Sequence, residues 1–429
     1  MNILVTVIFA VLFFGFILLS IALHEIGHML PAKLFGVRVP QYFVGFGPTL
    51  WSTRRGETEY GVKWIPLGGF VRLLGMYPPA QPRGGPGNRL TRFADGARAY
   101  EWHEITPDDV ANQRLFYQKK TWQKLIVMAG GPMMNVLIAF AIFWAILGLH
   151  GSWQAQTTVA AVQQCIVREN QAPDTSCATP DTPAAKSGIQ PGDTVVAFNG
   201  VPITDYAQLQ GLIRANLDGP AQLVVDRGGQ RVELTEVHTV ISGVSDNLDP
   251  GKRIAAGWFG ITPTTALVRG GPVETVQQMW TMTAQSVVAI AQFPVKVYNV
   301  VADLVQGKPR DIYGPLSIVG ASRAAGEVAA SDAITVPDKL VLFGSLLGAV
   351  NLFLAVFNFV PLPPLDGGHI AGALWEAARS GWAKLFRHPD PGHFDTAKLL
   401  PVAYAVMGFL ILSGGALIVA DIVSPMQLF

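Results

Sequence analysis

The chain has 429 residues, of which 50% are hydrophobic and only 14% charged, with a mean hydropathy of +0.34. This charge content is low for a soluble protein of this size, and a net charge of +1 gives no argument for nucleic acid. Four stretches, 3–23, 125–149, 340–360 and 400–423, are apolar over the about 20 residues that a helix needs to cross a bilayer.

The first stretch carries no charged residue from Ile3 to Leu23 and runs straight into His24-Glu25-Ile26-Gly27-His28. It has no basic leader and is too long for a signal-peptide core, so 1–32 reads as a retained first transmembrane helix. On a helix, His24 and His28 lie one turn apart on the same face. Two imidazoles so placed can hold one zinc ion, with Glu25 beside them as general base. Idle ionisable groups are costly in a membrane helix, which weighs against an accidental match.

Region 33–124 is rich in Lys and Arg, from Lys33 and Arg38 to Lys120 and Lys124, and reads as cytoplasmic. Within it, Gly45-Phe46-Gly47-Pro48 and Pro66-Leu67-Gly68-Gly69-Phe70 bracket loosely alternating residues. These suggest a re-entrant β-hairpin lining a water-accessible cavity, with an ordinary cytoplasmic hairpin as the alternative. The polar run 77–122, with Pro78-Pro79 and Gly84-Gly85-Pro86-Gly87, reads as a flexible insert. A second transmembrane helix over 125–150 contains Gly130-Gly131-Pro132, suited to close helix packing, and Asn135, expected to face the bundle.

Residues 153–262 form the one candidate soluble domain. The run from Ala184 through Gly188-Ile189 and Pro191-Gly192-Asp193 to Asn199-Gly200 resembles a PDZ domain, a small α+β module that adds a peptide to a sheet edge. Both cysteines, Cys165 and Cys177, fall here, where an extracytoplasmic setting permits a disulfide. The span 270–337 is expected to hold membrane-associated helices on the outer side. Its semi-apolar part, 271–301, reads as amphipathic on the surface, with a fifth crossing as the alternative.

A third transmembrane helix, 338–366, ends in Pro361-Leu362-Pro363-Pro364-Leu365-Asp366-Gly367-Gly368. From residue 3 to 24 and from 340 to 361 the chain covers the same helical length, about 32 Å. Asp366 is thus expected at the depth of His24. Two histidines and one carboxylate with an open fourth position make a catalytic zinc set; His369 is a weaker candidate for the third ligand. A cytoplasmic loop, 367–399, and a fourth transmembrane helix, 400–424, complete the chain.

Together, His24-Glu25-Ile26-Gly27-His28, the Pro-Leu-Pro-Pro-Leu-Asp366-Gly-Gly run and the PDZ-like stretch between them resemble the site-2 proteases, within them the bacterial RseP type. Gly131-Pro132-x-x-Asn135 and Gly314-Pro315-x-x-Ile318 also match family stretches. The resemblance implies zinc ligation by His24, His28 and Asp366, Glu25 as catalytic base and an active-site role for Asn358. It implies a multi-pass protein of the bacterial plasma membrane, its PDZ-like domain outside and its active site toward the cytoplasm. Implied substrates are transmembrane segments of single-pass proteins, foremost anti-sigma factors already clipped outside, then remnant signal peptides. RseP has two PDZ domains, whereas the interval here holds about one. Two rival readings are an ion transporter using His24, His28 and Asp366 as a relay, and an inert membrane anchor for a peptide-binding domain.

Overall fold

The computed structural model describes residues 3–79, 89–165, 182–311, 313–331 and 334–426. Two compact units emerge: 1–145 with 273–429, and 146–272. Among the described residues five helices are long and apolar enough to cross a membrane: Ile3–Leu34, Thr121–His150, Pro272–Gln306, Val336–Asn358 and Thr396–Val423. With a β-rich second unit, this is a polytopic membrane protein carrying a β domain.

The first unit opens with α1 (Ile3–Leu34). A helix satisfies its own backbone, the only economical way for this uncharged run to sit in hydrocarbon. Strands β1 (Gln41–Arg55) and β2 (Thr58–Arg72) pair antiparallel as a long hairpin. Each strand folds back on itself, because Val44 registers with both Val62 and Gly69. Residues 41–44 therefore have a neighbour on either side, and among the described residues 69–72 register only with 41–44.

The segment expected to be a flexible insert is largely helical where it is described. It forms α2 (Arg89–Trp102) and α3 (Pro107–Ala111). Its polar residues have distant partners that composition does not reveal. Glu101 is buried and accepts the backbone N–H groups of Gly75, Met76 and Tyr77. Buried Arg98 donates to Asp395 at 2.7 Å and to the Pro78 carbonyl.

Helix α4 (Thr121–Ala145) packs antiparallel on α1. Its start meets His28, and Phe143 near its end packs against Gly348. Gly27 and Gly130 let the two backbones touch, since a Cβ on Gly130 would lie 2.0 Å from the Gly27 carbonyl oxygen.

The second unit contains β3 (Ser152–Val162), α5 (Pro183–Ser187), β4 (Thr194–Phe198), β5 (Val201–Pro202), α6 (Tyr206–Ala215), β6 (Gly219–Arg227), β7 (Gln230–Ser245), β8 (Arg253–Trp258) and β9 (Ile261–Val268). The sheet order is β8-β7-β6-β4-β3-β9. Val159, Phe198, Leu209, Leu223 and Val225 form its core. The unit extends past residue 262 because β9 pairs with β3 as far as Val268. Cys177 lies outside the described residues, and with it the expected Cys165–Cys177 bridge.

The first unit resumes with α7 (Pro272–Gln306), a single long helix that covers the semi-apolar stretch 271–301 expected to be helical. Helix α8 (Ile318–Ala330) packs on the first half of α1. Asp421 ties it to the last helix, pairing with Arg310 and accepting the Ser317 N–H at 2.7 Å. Helix α9 (Val336–Asn358) runs in the same direction as α1: Phe343 packs on Phe13 near their starts, and both lead to the same cluster of polar side chains. The segment 367–399, expected as a loop, is mostly helix α10 (Asp366–Leu385), whose small face Gly368, Gly372 and Ala373 is buried. Helix α11 (Leu400–Val423) ends the fold.

Candidate metal centre

His24 and His28 project from α1 into the seam with α4, 8% and 5% exposed. The His28 Nδ1–H donates to the Val127 carbonyl of α4 at 2.8 Å. That bond leaves Nε2 with its lone pair free, directed away from α4's backbone bond. His24 and His28 stand with their Nε2 atoms 3.2 Å apart. The chain breaks after Asn358, and eight residues later Asp366 opens α10, bringing its carboxylate to the same point. Asp366 Oδ2 lies 3.3 Å from each Nε2.

Three electron-rich atoms thus form a nearly equilateral triangle in a buried place. Asp366 Oδ2 has no hydrogen-bond partner among the described residues. Crowding acceptors in this way is unfavourable unless a cation lies among them. Bonds of about 2.0–2.1 Å in a tetrahedral set put donors about 3.3 Å apart, so the triangle fits zinc.

A family profile, "Peptidase family M50", matches residues 12–385. The "Zinc metalloprotease Rip1" of Mycobacterium tuberculosis strain H37Rv is 35% identical, over 98% of both chains. The Mycolicibacterium smegmatis protein of the same name is 33% identical over 98% of both. "Metalloprotease MmpA" of Caulobacter vibrioides is 27% identical over 91% of this chain and 90% of its own. The chain belongs to peptidase family M50, the site-2 proteases. It is a zinc-dependent membrane protease.

Other expected residues of this M50 protease fall around the triangle. Glu25 faces the hairpin: the position of a Cβ on Gly69 is 3.2 Å from Glu25 Cγ and 3.1 Å from the Phe43 carbonyl oxygen. The hairpin is docked there by the Tyr42 hydroxyl, which donates to the Ala22 carbonyl at 2.8 Å. The Asn358 amide donates to the Leu354 carbonyl of its own helix at 3.1 Å. His369, one turn beyond Asp366 on α10, is outside the donor set. Asn135 is buried as expected, with its Oδ1 unpartnered among the described residues.

Sequence reasoning missed the roles of three residues. Gly131 reads from sequence as a packing glycine, yet a Cβ there would lie 2.2 Å from His28 Nε2 and 2.7 Å from His24 Nε2. Its bare Cα is what lets α4 close on the two imidazoles. Lys124, at the start of α4, donates to Glu376 of α10 at 2.7 Å, and both side chains are largely buried. Glu376 also accepts the Phe394 N–H and pairs with His393. Burial pushes the Glu376 carboxyl up, but these hydrogen bonds prevail and hold it at about 2. Nothing local in the sequence marks that pair.

Proposed function

We propose that this protease cleaves peptide bonds within transmembrane segments of single-pass membrane proteins, with His24, His28 and Asp366 as zinc ligands and Glu25 as general base. The observation that carries the reading is the buried triangle of donors with Glu25 between it and a strand edge. Zinc bound there supplies Lewis acidity toward the scissile carbonyl and the attacking water. Glu25 takes the proton of that water and returns it to the departing amide nitrogen. Residues 69–72 offer backbone groups on their outer side, beside Glu25, to a segment unwound from its helix; pairing as an added strand holds it extended. We assign Asn358 to a polar role toward the bound substrate backbone, resting on its place in the family motif.

Parity supports four crossings, by α1, α4, α9 and α11. Because α4 ends and α9 begins at the same end of the bundle, the chain between them crosses an even number of times. Helix α7 has the length to cross, but α8, with 13 residues, spans about 20 Å, short of a ~30 Å core. A crossing by α7 would have no return. The Lys and Arg of 33–124 and 379–398 support a reading with the zinc end toward the cytoplasm and the β unit outside. In that unit a cavity of about 170 Å³ lies between α6, at Tyr206, Gln210 and Ile213, and the turn Gly257–Ile261. This supports a PDZ-like module that holds an exposed peptide end, such as an anti-sigma factor or signal-peptide remnant clipped outside. It acts as a gate on uncut substrates rather than in the chemistry.

The test is Glu25→Gln in the full chain. The amide keeps the size but cannot take the water proton, so zinc content stays at one per chain while cleavage of a single-pass substrate falls at least about a hundredfold. Wild-type turnover in this variant would remove Glu25 from the mechanism.

A further inference from the structure

We propose that α10 is an interfacial membrane anchor, its outer face seated among acidic phospholipid headgroups on the side of the membrane where α9 ends. The proposal rests on α9 and α11 crossing the bilayer. Leu374, Trp375, Trp382, Leu385 and Phe386 are each 50–75% exposed, with the Trp382 and Phe386 rings 4.3 Å apart. At about 100° per residue they share an arc of about 120° with Ala378. The arc beyond it, from about 160° to 260°, carries buried Gly372, Ala383 and Ala373 and the inward-paired Glu376. A membrane helix in contact with water on such a stripe would be unstable, and a soluble partner is not required to cover it.

Continuity identifies the occupant. Helix α10 starts eight residues after candidate span α9 and ends about ten before the candidate span Thr396–Val423. Both of its ends are therefore tethered at one membrane boundary, and its apolar stripe lies at the depth where tryptophan is most at home. Charge complements the lipid: Arg379 lies about 20° past one edge of the stripe, and Lys384 and Arg387 are exposed in the last turn and just beyond it. A groove of about 450 Å³ between Trp375, Trp382, Arg379, His388 and Pro391 has room for a headgroup and the first part of its chain. Amphipathic helices with tryptophan and basic residues bind acidic lipid surfaces in this way. Because Asp366 is the first residue of α10, seating this helix also sets the height of the carboxylate.

The test uses the full chain in nanodiscs of phosphatidylcholine, alone or with phosphatidylglycerol, with the lipid brominated near the headgroup or near the chain end. Tryptophan quenching is compared between the wild type and Trp375→Phe/Trp382→Phe, whose difference reports these two rings. The expected result is strong quenching of that difference by bromine near the headgroup and weak quenching by bromine at the chain end. Brominated phosphatidylglycerol should quench more than phosphatidylcholine at equal mole fraction. That preference should fall about fivefold for each cation removed in Lys384→Gln and Arg387→Gln. Absence of quenching overturns the proposal, as does a stripe that stays dry while its variants change the mass of the solubilised particle, the sign of a protein partner or second copy. Glu25→Gln should leave the quenching unchanged, so a failure of the catalytic reading and a failure of this one are told apart.

Discussion

The helix bearing the two histidines and the helix bearing the carboxylate are held in opposite ways. Helix α1 is fixed to α4 by bare backbone, through Gly27, Gly130 and Gly131, with one hydrogen bond from His28 to Val127. Helix α10 is fixed to the same α4 by charge, through Lys124 and Glu376, and Glu376 in turn holds 393–394. Close backbone packing is indifferent to pH and salt but tolerates no added atom. A buried ion pair tolerates changes of shape but depends on protonation and fails when one partner is lost. The donor triangle is assembled where these two kinds of joint meet.

The sharpest break is at Gly131. Gly131→Ala puts a methyl group into the imidazoles, and displacement by about 1 Å at a catalytic site costs on the order of a hundredfold in rate. Zinc content should fall with it, measured by metal analysis of the purified protein. Gly414→Ala on α11, where a Cβ meets nothing within 4 Å, should change neither. Equal effects at both glycines would mean that close packing on the histidines is unimportant.

Glu376→Gln tests the charged joint and should act less severely. It leaves Lys124 buried without its anion, for a loss of about 3 kcal/mol in unfolding stability. Joint replacement with Lys124→Met and Glu376→Met should recover most of it. The pH dependence has a definite sign. The folded carboxyl sits at about 2, below its ordinary 4.5, so its contribution is complete above pH about 4.5 and fades as pH falls toward 2. The gap in melting temperature between wild type and Glu376→Gln should close over that window. A gap independent of pH would show that the joint is not electrostatic.

The smallest effect belongs to a control outside both joints. Glu57, at the hairpin tip, pairs with Arg114 in the open. Glu57→Gln should shift stability by less than about 1 kcal/mol, in thermal unfolding, and leave zinc and cleavage intact. A loss as large as that of Glu376→Gln would erase the distinction between the exposed pair and the buried one.

The histidine half of this comparison is legible in the sequence, and the carboxylate half only in part. A helix imposes its period, so spacing alone places His24, Glu25 and His28 on one turn. Asp366 can be placed because prolines end a helix and helical length measures depth. What escapes depends on long-range pairing. Lys124 and Glu376 are 252 residues apart, and Arg98 and Asp395 are 297 apart. No local pattern tells which lysine meets which carboxylate. The 77–122 segment looks loose for the same reason, as its polar residues have their partners elsewhere. Helix α10 is hidden differently: its apolar stripe has helical spacing, but the glycines at its start and the polar residues around the stripe make 367–399 read as a loop. For α7, length and composition alone do not separate a crossing helix from a surface one.

X-ray absorption at the zinc edge of the purified full-length protein tests the central claim most directly, that His24, His28 and Asp366 hold the metal. The account predicts two imidazole nitrogens and at least one carboxylate oxygen at about 2.0–2.2 Å, with the carboxylate contribution and the zinc content both reduced in Asp366→Asn. A spectrum with three imidazoles, unchanged in Asp366→Asn, would contradict it and move the third ligand to His369.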